Sequence, residues 1–166
     1  MKKGTTMKRI TKIVAAGFIG AMGLLFFLGN LFNLETAYSV VSFVVSGTEQ
    51  PYYKILGPVV TSSWLIWLAL FTIMASELVI GVLGFLGAFQ MIQQRSGSTD
   101  DFNASKSYAV YAGIIGMFIW YGFFVIVGEG YFHMWQTEIG LGSVEGAFRY
   151  GTICAVLMFY INFRDH

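Results

Sequence analysis

The chain is 166 residues long, with 56% apolar and only 11% charged side chains and a mean hydropathy of +0.67. A soluble domain has about a quarter of its residues charged, so this chain cannot cover a water-facing surface and lipid must be part of its solvent. A net charge of +1 supplies no field for nucleic acid, and one cysteine, Cys154, excludes an internal disulfide or a CxxC pair.

The first apolar run covers residues 13–34 without a charge; at about 1.5 Å per residue such a helix crosses a hydrocarbon core of about 30 Å. Lys2, Lys3, Lys8, Arg9 and Lys12 precede it. The run exceeds a signal-peptide core and no A-x-A site closes it, so it is read as a retained span. Asn30 and Asn33 at its far end are expected to cap the helix or bond the following loop. Between Lys54 and Arg95 the one charged residue is Glu77, which gives a second span over about residues 64–91. The stretch 95–103 has turn composition, with Asp101 or Asn103 suited to cap the next helix and no glycine-rich phosphate cradle. A third span follows at 107–128. The fourth, about 144–163, has a short charge-free core and is expected to start near Ser143, carrying Glu145 and Arg149 in its first turns, where their i,i+4 spacing lets them pair.

Spans in lipid must satisfy their own backbone groups, so these are helices, and the expected fold is an all-α, antiparallel four-helix membrane bundle forming one domain over residues 1–166. Eight Lys and Arg fall on the side of the termini and two, Lys54 and Arg149, on the other, which places both termini in the cytoplasm. Glu35, Glu49, Glu129, Glu138 and Glu145 then make the opposite side acidic. Small residues at four-residue spacing allow close helix contact: Gly17 with Ala21, Gly84 with Ala88, and Ala112 with Gly116.

Glu77 carries the strongest functional signal. A carboxyl group at mid-membrane depth is costly, so it is expected to face the bundle interior, where desolvation favours its neutral form. Tyr121 and Trp120, or Thr152, are the expected hydrogen-bond partners. Two readings stay open: a proton, cation or ligand site, or a neutral carboxyl that locks helix packing. The loop 128–136 holds Glu129, His133, Trp135 and Gln136. Two ligands, Glu129 and His133, do not close a metal site, and the loop also reads as an aromatic belt at the interface. No metal is expected. With His133 in a loop and His166 at the end, a bis-His haem is excluded. No cofactor is expected, although a quinone site, which needs only aromatic walls and a few polar groups, is compatible with the sequence. No nucleophile–base set stands at membrane depth, so the chain is not expected to be an enzyme.

Several segments together resemble one known family. They are Val60-Thr61-Ser62-Ser63-Trp64 leading to Glu77, Phe102-Asn103-Ala104-Ser105-Lys106, Gly128-Glu129 followed by Phe132, Met134-Trp135-Gln136, and Glu145-Gly146-Ala147-Phe148-Arg149-Tyr150. In this order they resemble the bacterial predicted small integral membrane proteins of domain-of-unknown-function family twenty-one sixty-five. The resemblance spans nearly the whole chain and implies four membrane helices and a bacterial origin, with no reaction. Gly130 ahead of Tyr131, and Ala75-Ser76 ahead of the membrane glutamate, depart from the family pattern.

The leading functional expectation is a non-enzymatic accessory subunit in a bacterial inner membrane, packing against a larger respiratory or transporter complex or forming a homo-oligomer, with membrane lipid as its other partner. The alternative is a module that binds or transports an ion, a proton or a small amphiphile through Glu77.

Overall fold

The structure, a computed structural model, describes residues 3–47 and 50–165, with side chains from residue 7 onward. Lys2, Glu49 and His166, and the side chain of Lys3, which enter the charge and ligand reading above, lie outside the described residues. The order of elements is α1 (Lys3–Phe32), α2 (Leu34–Ser46), α3 (Ser63–Gln93), α4 (Thr99–Ala104) and α5 (Ser107–Met117). A π-helix, Phe118–Tyr131, continues α5, and a single 3-10 turn, Met134–Gln136, leads into α6 (Glu138–Asn162). Four stretches are long and apolar enough to cross a membrane: Met7–Phe32, Ser63–Gln93, Thr99–Tyr131 and Glu138–Asn162. The chain is all-helical among the described residues, with four candidate spans near the expected positions.

Three elements differ from expectation. Residues 34–46, read above as connecting chain, form α2. Their apolar positions Val40, Val41 and Val44 face inward, Asn33 (φ −122°, ψ 39°) breaks them from α1, and Gly47, at φ +59°, ends the helix in the left-handed conformation. The third span changes from α to π after Met117, so that the Phe132 N–H donates to the Val127 carbonyl, five residues back, at 3.1 Å. The fourth span starts at Glu138 rather than near Ser143. Thr137 caps it by accepting from the Gly140 N–H at 3.2 Å, and Glu138 in the first turn suits the helix dipole. Glu145 and Arg149 therefore lie beyond the first turn, and they pair at 3.3 Å on an exposed face.

The capping expected of Asp101 or Asn103 is also corrected. Ser98 accepts from the Asp101 N–H at 3.1 Å and opens α4, while α5 has Lys106 at its N-cap position and no side-chain cap.

α1 and α3 meet along a seam of small residues. A Cβ on Gly20 would stand 2.8 Å from Phe85 N, one on Gly23 would stand 2.6 Å from Gly81 N, and one on Gly84 would run into the Gly20 backbone. The seam is Ala16, Gly20 and Gly23 against Gly81 and Gly84. Gly17 has nothing within 4 Å and Ala21 is half-buried, so the α1 pair expected from spacing sits one position off the contact. Farther along α3, Gly87 lies against Ala109 of α5, with Ala88 and Ala112 buried nearby. Gly113 packs on Met158, and Gly116 packs on Cys154 and Trp120.

The end of the bundle that holds both chain ends is tied by buried charge. Asp165 Oδ2 accepts from Lys12 Nζ at 2.8 Å and from Lys106 Nζ at 2.5 Å, and all three side chains are about 95% buried. The Phe163 carbonyl accepts from the same two ammonium groups, and Asn103 brackets Asp165 by accepting from its N–H and donating to its carbonyl. Arg9 lies over the Phe102 ring and donates to the Arg95 and Gly97 carbonyls. Burial alone would raise the Asp165 carboxyl, but hydrogen bonds from Lys106 and Lys12 outweigh it and hold the group below its ordinary value. The charges counted above only for orientation thus also join α1, the α4–α5 turn and the end of α6.

Candidate functional site

At the other end of the α1–α3 seam the small residues stop and side chains splay apart. Asn30 lies seven residues, or two turns, beyond Gly23, and Glu77 lies four before Gly81, so both continue the contact faces of their helices. Asn30 Nδ2 donates to Glu77 Oε2 at 2.8 Å, and no other hydrogen bond to the Glu77 carboxyl is present among the described residues. Glu77 is 2% exposed. Its side chain lines a cleft of about 480 Å³ bounded by the α1–α2 junction, the middle of α3, the π-helix and the first half of α6.

The lining of this cleft is mixed. Glu77, Asn30, Asn33, Thr36, Ser143 and Tyr150 offer polar groups, and Phe26, Leu70, Trp120 and Phe124 offer apolar walls. Phe26, Trp120 and Tyr150 form one packed aromatic cluster, with ring centroids 4.3 Å apart for Phe26–Tyr150 and 5.8 Å for the other two pairs. Among the described residues no Lys or Arg lines the cleft. A second cavity of about 300 Å³ adjoins it, sharing Val40, Val41, Ile73, Phe124 and Ser143. Its remaining walls, including Val44, Val60, Ile66, Phe132 and Met134, are apolar.

The π-helix shapes both cavities. Trp120 and Phe124 line the first, and Phe123, Phe124, Val127 and Gly128 line the second. π-Helical turns are frequent at functional sites. α2 forms the facing wall through Val40 and Val41.

The expected partners of Glu77 are distributed otherwise. Tyr121 is paired with Thr152 at 2.7 Å between their hydroxyl oxygens, and Trp120 contributes a ring wall; the hydrogen bond to Glu77 comes from Asn30 instead. Asn33 does not reach the carboxyl and donates to the Gly29 carbonyl at 2.8 Å. The stripe Gly20–Gly23–Asn30 was the signal for this pairing, and it was hidden by placing the close contact on Gly17 and Ala21.

The loop candidates do not join the cleft. Gln136 accepts from the Tyr52 and Tyr53 N–H groups at 3.0 and 2.6 Å and donates to Gln50 and the Tyr53 carbonyl, so it holds the 50–53 segment in place. Trp135 and His133 lie beside the Tyr53 ring, and His133 takes a positive φ of 51°. Glu129 lines a separate, shallow cleft with Glu145 and Arg149. Among the described residues no three His, Cys, Asp or Glu side chains come together as a metal site.

Comparison with known proteins agrees with this architecture. The model of a family described as predicted small integral membrane protein, of unknown function, matches residues 8–164. No curated protein and no solved structure matches the chain. The chain belongs to that family of small integral membrane proteins.

Proposed function

We propose that this small integral membrane protein binds a small membrane-borne molecule in the cleft at Glu77, with the carboxyl group and Asn30 holding its polar end. The observation that carries this reading is the pairing of a mid-span carboxyl with a 480 Å³ cleft that keeps polar groups on one wall and aromatic rings on the other. Ligand sites combine a mostly apolar lining with a few convergent polar groups in this way. Binding is preferred to the accessory-subunit role expected from sequence because the cleft brings several polar groups together beside an aromatic wall instead of offering a plain apolar contact face.

The arrangement proposed with it is four antiparallel spans in a bacterial inner membrane, with both termini cytoplasmic. Contacts that run in opposite order along α1 and α3, Gly20 with Gly84 and then Gly23 with Gly81, support the antiparallel part. The eight-to-two distribution of Lys and Arg supports the orientation.

The test is quenching of Trp120 by bromooctanol in nanodiscs of zwitterionic lipid, with Trp64, Trp67 and Trp135 replaced by Phe so that Trp120 reports alone. Saturable quenching is expected, lost in Glu77→Leu and in Gly142→Leu. Gly142 lines the cleft and a Cβ there meets open space, so a leucine is expected to extend into the cleft. Quenching that rises linearly and equally in all three proteins would refute the reading.

A further inference from the structure

We propose that the occupant is a single-chain amphiphile with a cationic, ammonium-type head. This rests on the binding reading above and names its ligand class. The head group sits at Glu77 against the Phe26–Trp120–Tyr150 cluster, and the chain lies in the adjoining apolar cavity.

Three observations converge on it. First, the cleft is charge-asymmetric: among the described residues its carboxyl group has one neutral hydrogen-bond donor, and no Lys or Arg lines it. Charge buried at membrane depth is retained at least cost when paired, and the protein leaves the cationic position of this pair open. An ammonium head favours the ionised form of the Glu77 carboxyl by supplying its missing counter-charge, whereas an anionic head meets no cation in the described lining. Second, the rings that line the carboxyl's own cleft offer electron-rich surface, which attracts ammonium ions when water is excluded. Third, the polar cleft adjoins a cavity of about 300 Å³ whose walls, Ser143 apart, are apolar and which shares Val40, Val41 and Phe124 with it. At about 300 Å³ it lies at the small end of the range for ligand pockets and suits one alkyl chain. A head with no chain would leave this second cavity empty, and a two-chain lipid would exceed it. A chain arriving from lipid is already dry, so what it contributes is van der Waals packing against the cavity walls rather than hydrophobic transfer.

The experiment is competition against bromooctanol in the Trp120 assay, with three C12 competitors compared at equal mole fraction in the nanodisc: dodecyltrimethylammonium, dodecanol and dodecanoate. The ammonium compound is expected to compete about ten-fold better than the alcohol, and the carboxylate not at all. Glu77→Gln, which keeps size and an acceptor for Asn30, should remove the ammonium preference and leave alcohol binding. Ala69→Phe narrows the apolar cavity alone, since Ala69 lines that cavity and not the polar cleft. It should weaken all chains of this length while sparing butyltrimethylammonium; Val45→Phe serves as a second variant at the same cavity. Equal competition by the ammonium and the alcohol, or a preference that survives Glu77→Gln, would overturn the cationic head. Unchanged C12 binding in both cavity variants would overturn the placement of the chain. If bromooctanol itself fails to bind saturably, the underlying reading fails rather than the ligand class.

Discussion

Asn30 donates to Glu77 at 2.8 Å as the last step of the seam in which Gly20 meets Gly84 and Gly23 meets Gly81. The glycine contacts bring two helix backbones too close for side chains. Where the glycines end, the same approach sets an amide and a carboxyl within hydrogen-bonding reach and leaves space beside them. The cleft is thus a consequence of the packing that holds the first and second spans together.

Replacing Asn30 by Leu should leave the Glu77 carboxyl without the one partner it has among the described residues. Loss of a partner from a buried polar group costs about 1–3 kcal/mol, which should appear as a lowered melting temperature in detergent. Bromooctanol should restore part of it in Asn30→Leu by supplying a hydroxyl. Equal melting of Asn30→Leu and the native protein would show that the bond contributes nothing.

The seam makes a contrast between two glycines of one helix. Gly84→Val in α3, like Gly20→Val in α1, forces the backbones apart and should destabilise by about 3 kcal/mol or more, the upper range for overpacking. Gly17→Ala, with open space around its Cβ, should instead stabilise α1 by up to about 1 kcal/mol through helix propensity. Thermal melts of the three variants decide it. A Gly17 variant that unfolds as readily as the Gly20 variant would place the contact where spacing alone had put it.

The buried cluster at the terminal end predicts a sensitivity to acid. Asp165 has a depressed folded value, so its contribution is fully present above the unfolded carboxylate value, about 3.9, and is lost as pH falls through the folded value below that. Stability should therefore be flat across neutral pH in respect of this group and fall below about pH 4. Asp165→Asn should lower stability by about 3–5 kcal/mol at neutral pH, because two ammonium groups lose their counter-charge, and should remove this part of the acid transition. Melts from pH 7 to pH 3 of the native protein and Asp165→Asn check both points; an unchanged acid transition in the variant would assign it to other carboxyls.

Orientation is testable with the one native cysteine buried and out of the way. Ser98→Cys and Glu138→Cys place thiols at exposed positions on opposite loops. In intact cells an impermeant maleimide should label the second and spare the first until the membrane is opened. The reverse pattern would invert the proposed topology.

The four spans were legible because charge is excluded from lipid over lengths that helix rise fixes, and Glu77 stood out for the same reason. The α2 helix was not, because Glu35 and the break at Asn33 make residues 34–46 resemble an interfacial connection, and 13 residues are too few to cross. The change from α to π at Phe118 leaves no composition signal, since aromatic and β-branched residues run through both parts of the span. The Lys12–Asp165–Lys106 cluster joins residues 59 and 153 positions apart, and only the folded chain brings them together. Gln136 was conspicuous in sequence for a reason other than ligand binding: its amide holds the 50–53 segment with both of its ends.

The most direct test is a density map of the protein in native membrane patches, held by a rigid antibody fragment. The account predicts elongated density between α2 and α6, its compact end at the Glu77 carboxyl and its tail toward Met134. A map in which α2 closes onto the π-helix and no space remains beside Glu77 would contradict it.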